Sequence, residues 1–226
     1  MRKPVIILPT YRRDGDYRDL DLAIRSIFYY TPVGVPVVVV YKDQSAGDII
    51  NSAICDTRTV ICVTQPEWVR SGSGGFQYGF EVATKEYGAV DFVTASDDIV
   101  LLPDTYSRLV DEAGQLFSAG KKPGIVACRS NFIRGGSADV VSPVFAYVLG
   151  EAMDGLRWQN CDWFSDDCLC WDMRQKGYVH YTSSAYVHHV GERSTKQGKS
   201  TQQMHDEGRD WMVVNRPDFA KKMGWI

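Results

Sequence analysis

FVTASDDIVLLPDTY, residues 92–106, decides how the chain is read. Phe92 to Ala95 has strand character, Asp97 and Asp98 follow at once, and Ile99 to Leu102 resumes the apolar pattern. Two adjacent carboxylates at the tip of a segment built for burial have two explanations. Ser-Asp-Asp is good turn chemistry. Carboxylate oxygens at a strand end are also hard ligands for Mg2+ or Mn2+. The surrounding sequence has to choose between them.

Upstream, strand and helix patterns alternate. VIILPT (5–10) is a continuous apolar run, and Leu20, Ala23, Ile24 and Ile27 recur at helical spacing. VPVVVVY (35–41) is a β-branched run of the kind buried on both faces. A polar segment then precedes TVICVTQ (59–65), after which Phe76, Phe80, Ala83 and Tyr87 mark the inner face of a helix. Downstream of the Asp pair, residues 104–118 read as a helix capped by Asp104, and GIVACRS (124–130) as a strand. Such alternation implies βαβ units and a parallel sheet. Ligands of these sheets bind beyond the carboxyl ends of the strands. Three of those ends carry polar clusters: Thr10-Tyr11-Arg12-Arg13, Lys42-Asp43-Gln44-Ser45 and Ser96-Asp97-Asp98.

The second half is less regular. SPVFAYVLG (142–150) reads as a strand, residues 166–178 as a helix with an acidic start, and VHYTSSAYVHH as one or two short strands. The polar tail ends in a helix around Trp211, Val214, Phe219 and Met223. Across 226 residues, 44% are hydrophobic and 23% charged, with a formal net charge of −3. That composition fits one globular domain and offers no basic footprint for nucleic acid. No segment has the apolar length of a transmembrane helix, and the four-residue run VIIL is too short for a signal peptide. Six cysteines without scaffold spacing fit reduced thiols, so a cytoplasmic location is expected. Cys161, Cys168 and Cys170 alternate with core residues, and their CxC spacing is not the usual zinc knuckle.

Several further features could carry chemistry. Asp166 and Asp167 stand at a helix start, where the dipole favours an ionised carboxylate that can act as a base; simple capping is the rival. His188 or His189, before Gly191, could complete a metal site. Arg193, Lys196 and Lys199 lie in a small-residue loop where they could neutralise phosphates. RSGSGGFQYG (70–79) could cradle a phosphate at a helix N-terminus, although it matches neither GxGxxG nor a P-loop.

In their order along the chain, these features resemble the inverting nucleotide-sugar glycosyltransferases of the GT-A fold, family 2-like. Leu8-Pro9-Thr10-Tyr11 resembles the first strand end, Asp43-Gln44-Ser45 the nucleobase turn, and Ala95-Ser96-Asp97-Asp98 the DxD-type metal motif. FSDDCLCWDMRQKGY (164–178) resembles the acidic motif that opens the base-bearing helix, and His189-Val190-Gly191 the late His-x-Gly. The chain departs from the pattern at Ala95, the first Asp of DxD, and at Ser165, where the family carries Glu.

The resemblance implies a single α/β domain over 1–226 with a Rossmann-like, mostly parallel sheet flanked by helices and a smaller mixed acceptor-side sheet. Residues 1–100 would form the nucleotide-binding half and 101–226 the acceptor half, with a mobile loop at about 192–205. It implies a metal-dependent transferase moving a sugar from a nucleoside-diphosphate sugar to a hydroxyl of a glycan or other acceptor. Asp166, or its neighbour Asp167, would be the base. Thr10, Tyr11, Arg13, Asp43, Gly75, Ser96, Asp97, Arg193 and Lys196 would bind the donor. Asp97, Asp98 and His189 would hold Mn2+ or Mg2+, with Asp97 the principal ligand, and Trp158 and Trp163 would be available to stack on a sugar. The rival expectations are a catalytically inactive GT-A domain that binds glycan or nucleotide sugar, and a sugar-nucleotidyltransferase. The latter should carry a GxGxR signature, which Arg12-Arg13 lacks.

Overall fold

A computed structural model describes residues 4–10, 17–54, 59–88, 90–131, 141–191 and 200–226. The apolar runs become strands and the amphipathic segments become helices. In chain order these are β1 (Val5–Pro9), α1 (Arg18–Tyr30), β2 (Val37–Tyr41), α2 (Gln44–Ala53), β3 (Val60–Thr64), α3 (Gly72–Tyr87), β4 (Phe92–Ala95) and β5 (Ile99–Leu101). Then follow α4 (Thr105–Ser118), β6 (Pro123–Ser130), β7 (Phe145–Val148), α5 (Ser165–Gln175), β8 (Val179–His189), α6 (Thr201–Asn215) and α7 (Pro217–Lys222).

The eight strands form one sheet in the order β3-β2-β1-β4-β7-β6-β8-β5. β3, β2, β1 and β4 are parallel neighbours, as the β-branched runs lead one to expect. The second half contributes the mixed part, which continues the same sheet: β7 is antiparallel to both β4 and β6, β8 is parallel to β6, and β5 is antiparallel to β8.

Side-chain alternation splits the core into two layers. Ile6, Leu8, Val37, Val39, Val93 and Ala95 face α1 and α4 on one side. Val5, Ile7, Val38, Val40, Phe92 and Ala146 face α3 and α5 on the other. Trp158 belongs to this second layer, buried against Phe76 and Phe92 with ring centroids 5.8 and 5.6 Å away. A sugar-stacking role for Trp158 is therefore withdrawn. α3 approaches the sheet closely because its glycines leave room: a Cβ on Gly75 would stand 2.6 Å from the Pro9 Cβ, and one on Gly79 would overlap Ile7 Cγ2.

A third cluster, Cys161, Phe164, Cys168, Met212 and Phe219, joins α5 to α6 and α7. Arg216 locks this joint, donating to both carboxylate oxygens of Asp172 at 2.7 and 2.8 Å. Burial is the chief cause that pushes the Cys161 thiol up to about 12 and raises the Cys168 thiol as well. Both side chains pack within this cluster.

Several local expectations change. The polar segment after β2 contains α2, whose start Asp43 caps by accepting from the Ala46 N–H at 3.1 Å. Asp104 does precede α4, but in a left-handed conformation (φ 64°) without a side-chain cap bond. The tail forms two helices, with Val214 and Met223 exposed and Met212 buried in their place. A Ser200–Gln203 capping box starts α6, so residues 201–205, expected in the loop, are helical. Among the described residues no helix is long and apolar enough to cross a membrane.

Candidate active site

Strand direction alone gathers the polar cluster. β1, β2 and β4 run the same way, so Thr10, Asp43 and Ser96 follow their ends at one edge of the sheet. β7 starts at that edge, with Phe145 opposite Ala95, and β6 and β8 climb back to it. β5 descends from it, with Ile99 opposite His189. Residues separated by about ninety positions in the chain, Asp98 and His189, thereby become neighbours.

At that edge the Asp pair is no solvated turn. Asp97 is 4% exposed and Asp98 2% exposed. Buried carboxylates require partners. Asp98 Oδ2 stands 3.1 Å from His189 Nε2. The strand end is fixed on both sides, by the Ser96 N–H donating to Val144 O at 2.9 Å and the Val190 N–H to Asp98 O at 2.8 Å. Ala95 is fully buried in the core layer, so the first position of the DxD-like motif faces apolar side chains rather than the edge. An Asp there would have to bury its charge among apolar side chains.

The N-terminus of α5 reaches the same edge. Ser71, which follows the carboxyl end of β3 and caps α3, donates to Asn160 Oδ1 at 3.1 Å; the Arg70 N–H donates to the same oxygen at 3.0 Å. Asn160 Nδ2 in turn donates to Trp68 O. The segment before α5 is thus stitched to the site edge, and Ser165 Oγ donates to Gln159 O at 2.9 Å to start the helix. Ser165 is 1% exposed. Asp166 is buried, Asp167 half-buried, and the Asp167 N–H donates to Asp166 Oδ1 at 3.2 Å. Both lie in the first turn of α5.

The donor-side residues fall as follows. Thr10 is buried at the end of β1, its N–H donating to Val40 O at 2.7 Å. Asp43 is held by its cap bond to Ala46 and by the Tyr17 hydroxyl. Gly75 sits in the first turn and a half of α3, against Pro9. The Gly74 N–H at that helix start is taken by Ser71 Oγ at 3.0 Å. Tyr11, Arg13, Arg193 and Lys196 lie outside the described residues. The sequence pattern singles out neither Tyr17 nor Asn160, because single polar residues in irregular segments carry no periodic signal.

A recess of about 670 Å3 opens at the opposite edge, between Phe80, Val90, Leu149 and Met153. Its one acidic group from the strand side, Asp91, is engaged by the Tyr147 hydroxyl and the Gly150 N–H. Glu151 and Asp154 also line it.

No family model matches the chain, and no curated protein matches its sequence. Solved structures do. The 1–349 fragment of S. aureus TarS superposes with a TM-score of 0.60 at 14% identity, covering 83% of this chain and 60% of that one. The glucosyl-3-phosphoglycerate synthase of Mycobacterium tuberculosis, in complex with Mn2+, UDP-glucose and glycerol 3-phosphate, gives 0.62 at 13%, covering 90% and 77%. The fold is GT-A. The UTP-bound UGPase of Acinetobacter baumannii shares the GT-A-like architecture, with a TM-score of 0.53 at 13% identity over 100% of this chain and 98% of that one. The chain spans about three fifths of the TarS fragment. Identities this low relate architectures, so the chemistry has to come from this chain's own GT-A edge.

The Mn2+ in the glucosyl-3-phosphoglycerate synthase complex raises the question of a cation, and the donor set of this chain gives a direct test. Among the described residues no three His, Cys, Asp or Glu side chains form a ligating group. Of the expected trio, Asp98 and His189 face each other at 3.1 Å, one oxygen donor and one imidazole nitrogen. The carboxylate suits Mg2+ or Mn2+, hard cations that take few protein ligands and complete their shell from substrate phosphates and water, and the imidazole nitrogen adds a softer donor beside it.

Proposed function

We propose that the chain is a metal-dependent, inverting glycosyltransferase of the hexosyltransferase class, using a nucleoside-diphosphate sugar and a hydroxyl acceptor. The observation that carries the reading is the pair of buried Asp98 and half-buried His189 at 3.1 Å, on the edge where Asp166 opens α5. Thr10 and Asp43, with Tyr11 and Arg13, take the nucleoside, Ser96 and Gly75 adjoin the sugar phosphate, and Arg193 and Lys196 cover the diphosphate. Asp43 suits its part because a carboxylate has about four acceptor sites, so the two bonds that fix it leave capacity for a base. Asp98 and His189, with Asp97 beside them, hold Mn2+ or Mg2+. When bound, the ion neutralises charge on the departing diphosphate.

Asp166 takes the proton of the acceptor hydroxyl. The acceptor oxygen forms its bond to the sugar C1 while the C1–O bond to phosphate breaks on the opposite face. That electron pair leaves with the nucleoside diphosphate, and the anomeric centre inverts. A thermal-shift screen of UDP-, GDP- and dTDP-sugars, with and without Mn2+, tests this. One nucleoside should raise the melting temperature in a Mn2+-dependent way that Asp98→Asn removes. No shift with any donor would overturn the proposal.

A second reading, a sugar-nucleotidyltransferase, is favoured by one observation: the match to the UGPase spans essentially both chains. The first strand argues against it, ending in Leu8-Pro9-Thr10 without a glycine-rich continuation.

A further inference from the structure

We infer that Asn131 is a positioning residue, whose side-chain amide holds the His189 backbone so that the imidazole stands against Asp98. Nothing in the motif pattern singles it out. β6 ends at Ser130, whose partner in the parallel ladder is Val187. One residue further, β6 has left the sheet, while β8 continues to His189. The His189 peptide groups facing β6 would then have no strand to pair with. The Asn131 side chain substitutes for one: the His189 N–H donates to Asn131 Oδ1 at 2.7 Å, and Asn131 Nδ2 donates to His189 O at 2.9 Å. On the other side the next peptide, the Val190 N–H, bonds Asp98 O at 2.8 Å. Successive peptide groups of a strand point to opposite sides, so the end of β8 is gripped from both.

The chemistry of the clamp is specific. Satisfying one N–H and one C=O at once takes a side chain with an acceptor and a donor on a planar group, and Asn or Gln supplies both. A carboxylate would repel the carbonyl, and an aliphatic residue would leave both peptide groups unpaired. The side-chain register that results is the one that matters at the site. Ile99 stays opposite His189 and His189 Nε2 stays at 3.1 Å from Asp98 Oδ2, whereas slippage by one residue would present His188 or Val190 there. A register shift already separates Ala127 from Arg129 in this ladder, so the upper part of β8 does not inherit its alignment from the lower part.

The inference rests on Asp98 and His189 holding a divalent cation, and the experiment separates the two. Mn2+ alone is titrated into the protein, followed by loss of the free-ion paramagnetic resonance signal, for the wild type and for Asp98→Asn, Asn131→Ala, Asn131→Gln, His189→Ala and the Asn131→Ala/His189→Ala double variant. Asn131→Ala should weaken Mn2+ about 10-fold, as loss of outer-shell support does, with Gln recovering part of it. In the His189→Ala background Asn131→Ala should change affinity by less than about twofold, because it acts through His189. Wild-type affinity in Asn131→Ala, or an equal loss in both backgrounds, overturns the positioning role. A wild type that binds no Mn2+, or an Asp98→Asn variant that binds it normally, overturns the cation pair itself and the inference with it.

Discussion

Gly79→Ala on α3 probes how closely this helix must lie on the strands that carry the site. The added methyl would overlap Ile7 Cγ2 and stand 3.3 Å from Val40 Cγ2, both fully buried side chains. Neither neighbour has a flexible end to swing away, so the helix itself must lift. Overpacking of this kind costs about 1–3 kcal/mol, and two branched partners put the site near the top of that range. Replacing Gly by Ala inside a helix returns about 1 kcal/mol. The expected net loss is about 2 kcal/mol, a fall of roughly 4–8 °C in melting temperature for a chain of this size. Gly72→Ala is the control, because a Cβ there meets nothing within 4 Å. It should be neutral or slightly stabilising. Urea denaturation of both variants reads the difference. A Gly79→Ala protein as stable as Gly72→Ala would refute the close approach of α3 to β1 and β2.

Asp166→Asn should lower sugar transfer by about 10²–10⁴-fold without weakening donor binding, the usual range for a lost general base. Asp167→Asn should retain most of the rate, and the reverse ranking would move the base to Asp167. Stability should fall in acid. Burial pulls Glu112 upward, but hydrogen bonds from Ser183 and Ser184 outweigh it and hold its carboxyl below the ordinary range. Arg216 holds Asp218 below that range too. A depressed carboxylate contributes its stability above the unfolded value, near 4, and loses it as pH falls through the lower folded value. Urea midpoints measured from pH 6 down to 3 should therefore drop below about pH 4, less steeply in Glu112→Gln.

Much of the fold was legible because period and β-branching are properties of runs. VPVVVVY could hardly be anything but a buried strand, and the parallel order followed from alternation. The polar edge followed as well, since strand direction decides which ends meet. α2 was hidden because its buried face is only Ala46, Gly47 and Ile50, too small for a visible stripe. The pairing of His189 with Asp98 was not readable, because which of two adjacent carboxylates meets a strand ninety residues away depends on register. Ala95 and Ser165, read in sequence as departures from a catalytic pattern, gain their meaning from burial: one is core, the other starts a helix. Asn131 and Asn160 act once each, through side-chain amides that mimic backbone, and single residues of that kind leave no pattern.

Product analysis with the donor selected by the thermal-shift screen tests the central claim most directly. The protein is incubated with that nucleoside-diphosphate sugar and Mn2+, with and without pyrophosphate, and the nucleotides are resolved by chromatography. Glycosyl transfer or donor hydrolysis at the Asp98–His189 edge releases nucleoside diphosphate without pyrophosphate, and the release is lost in Asp98→Asn. Nucleoside triphosphate appearing only when pyrophosphate is added would contradict it and assign the fold to nucleotidyl transfer.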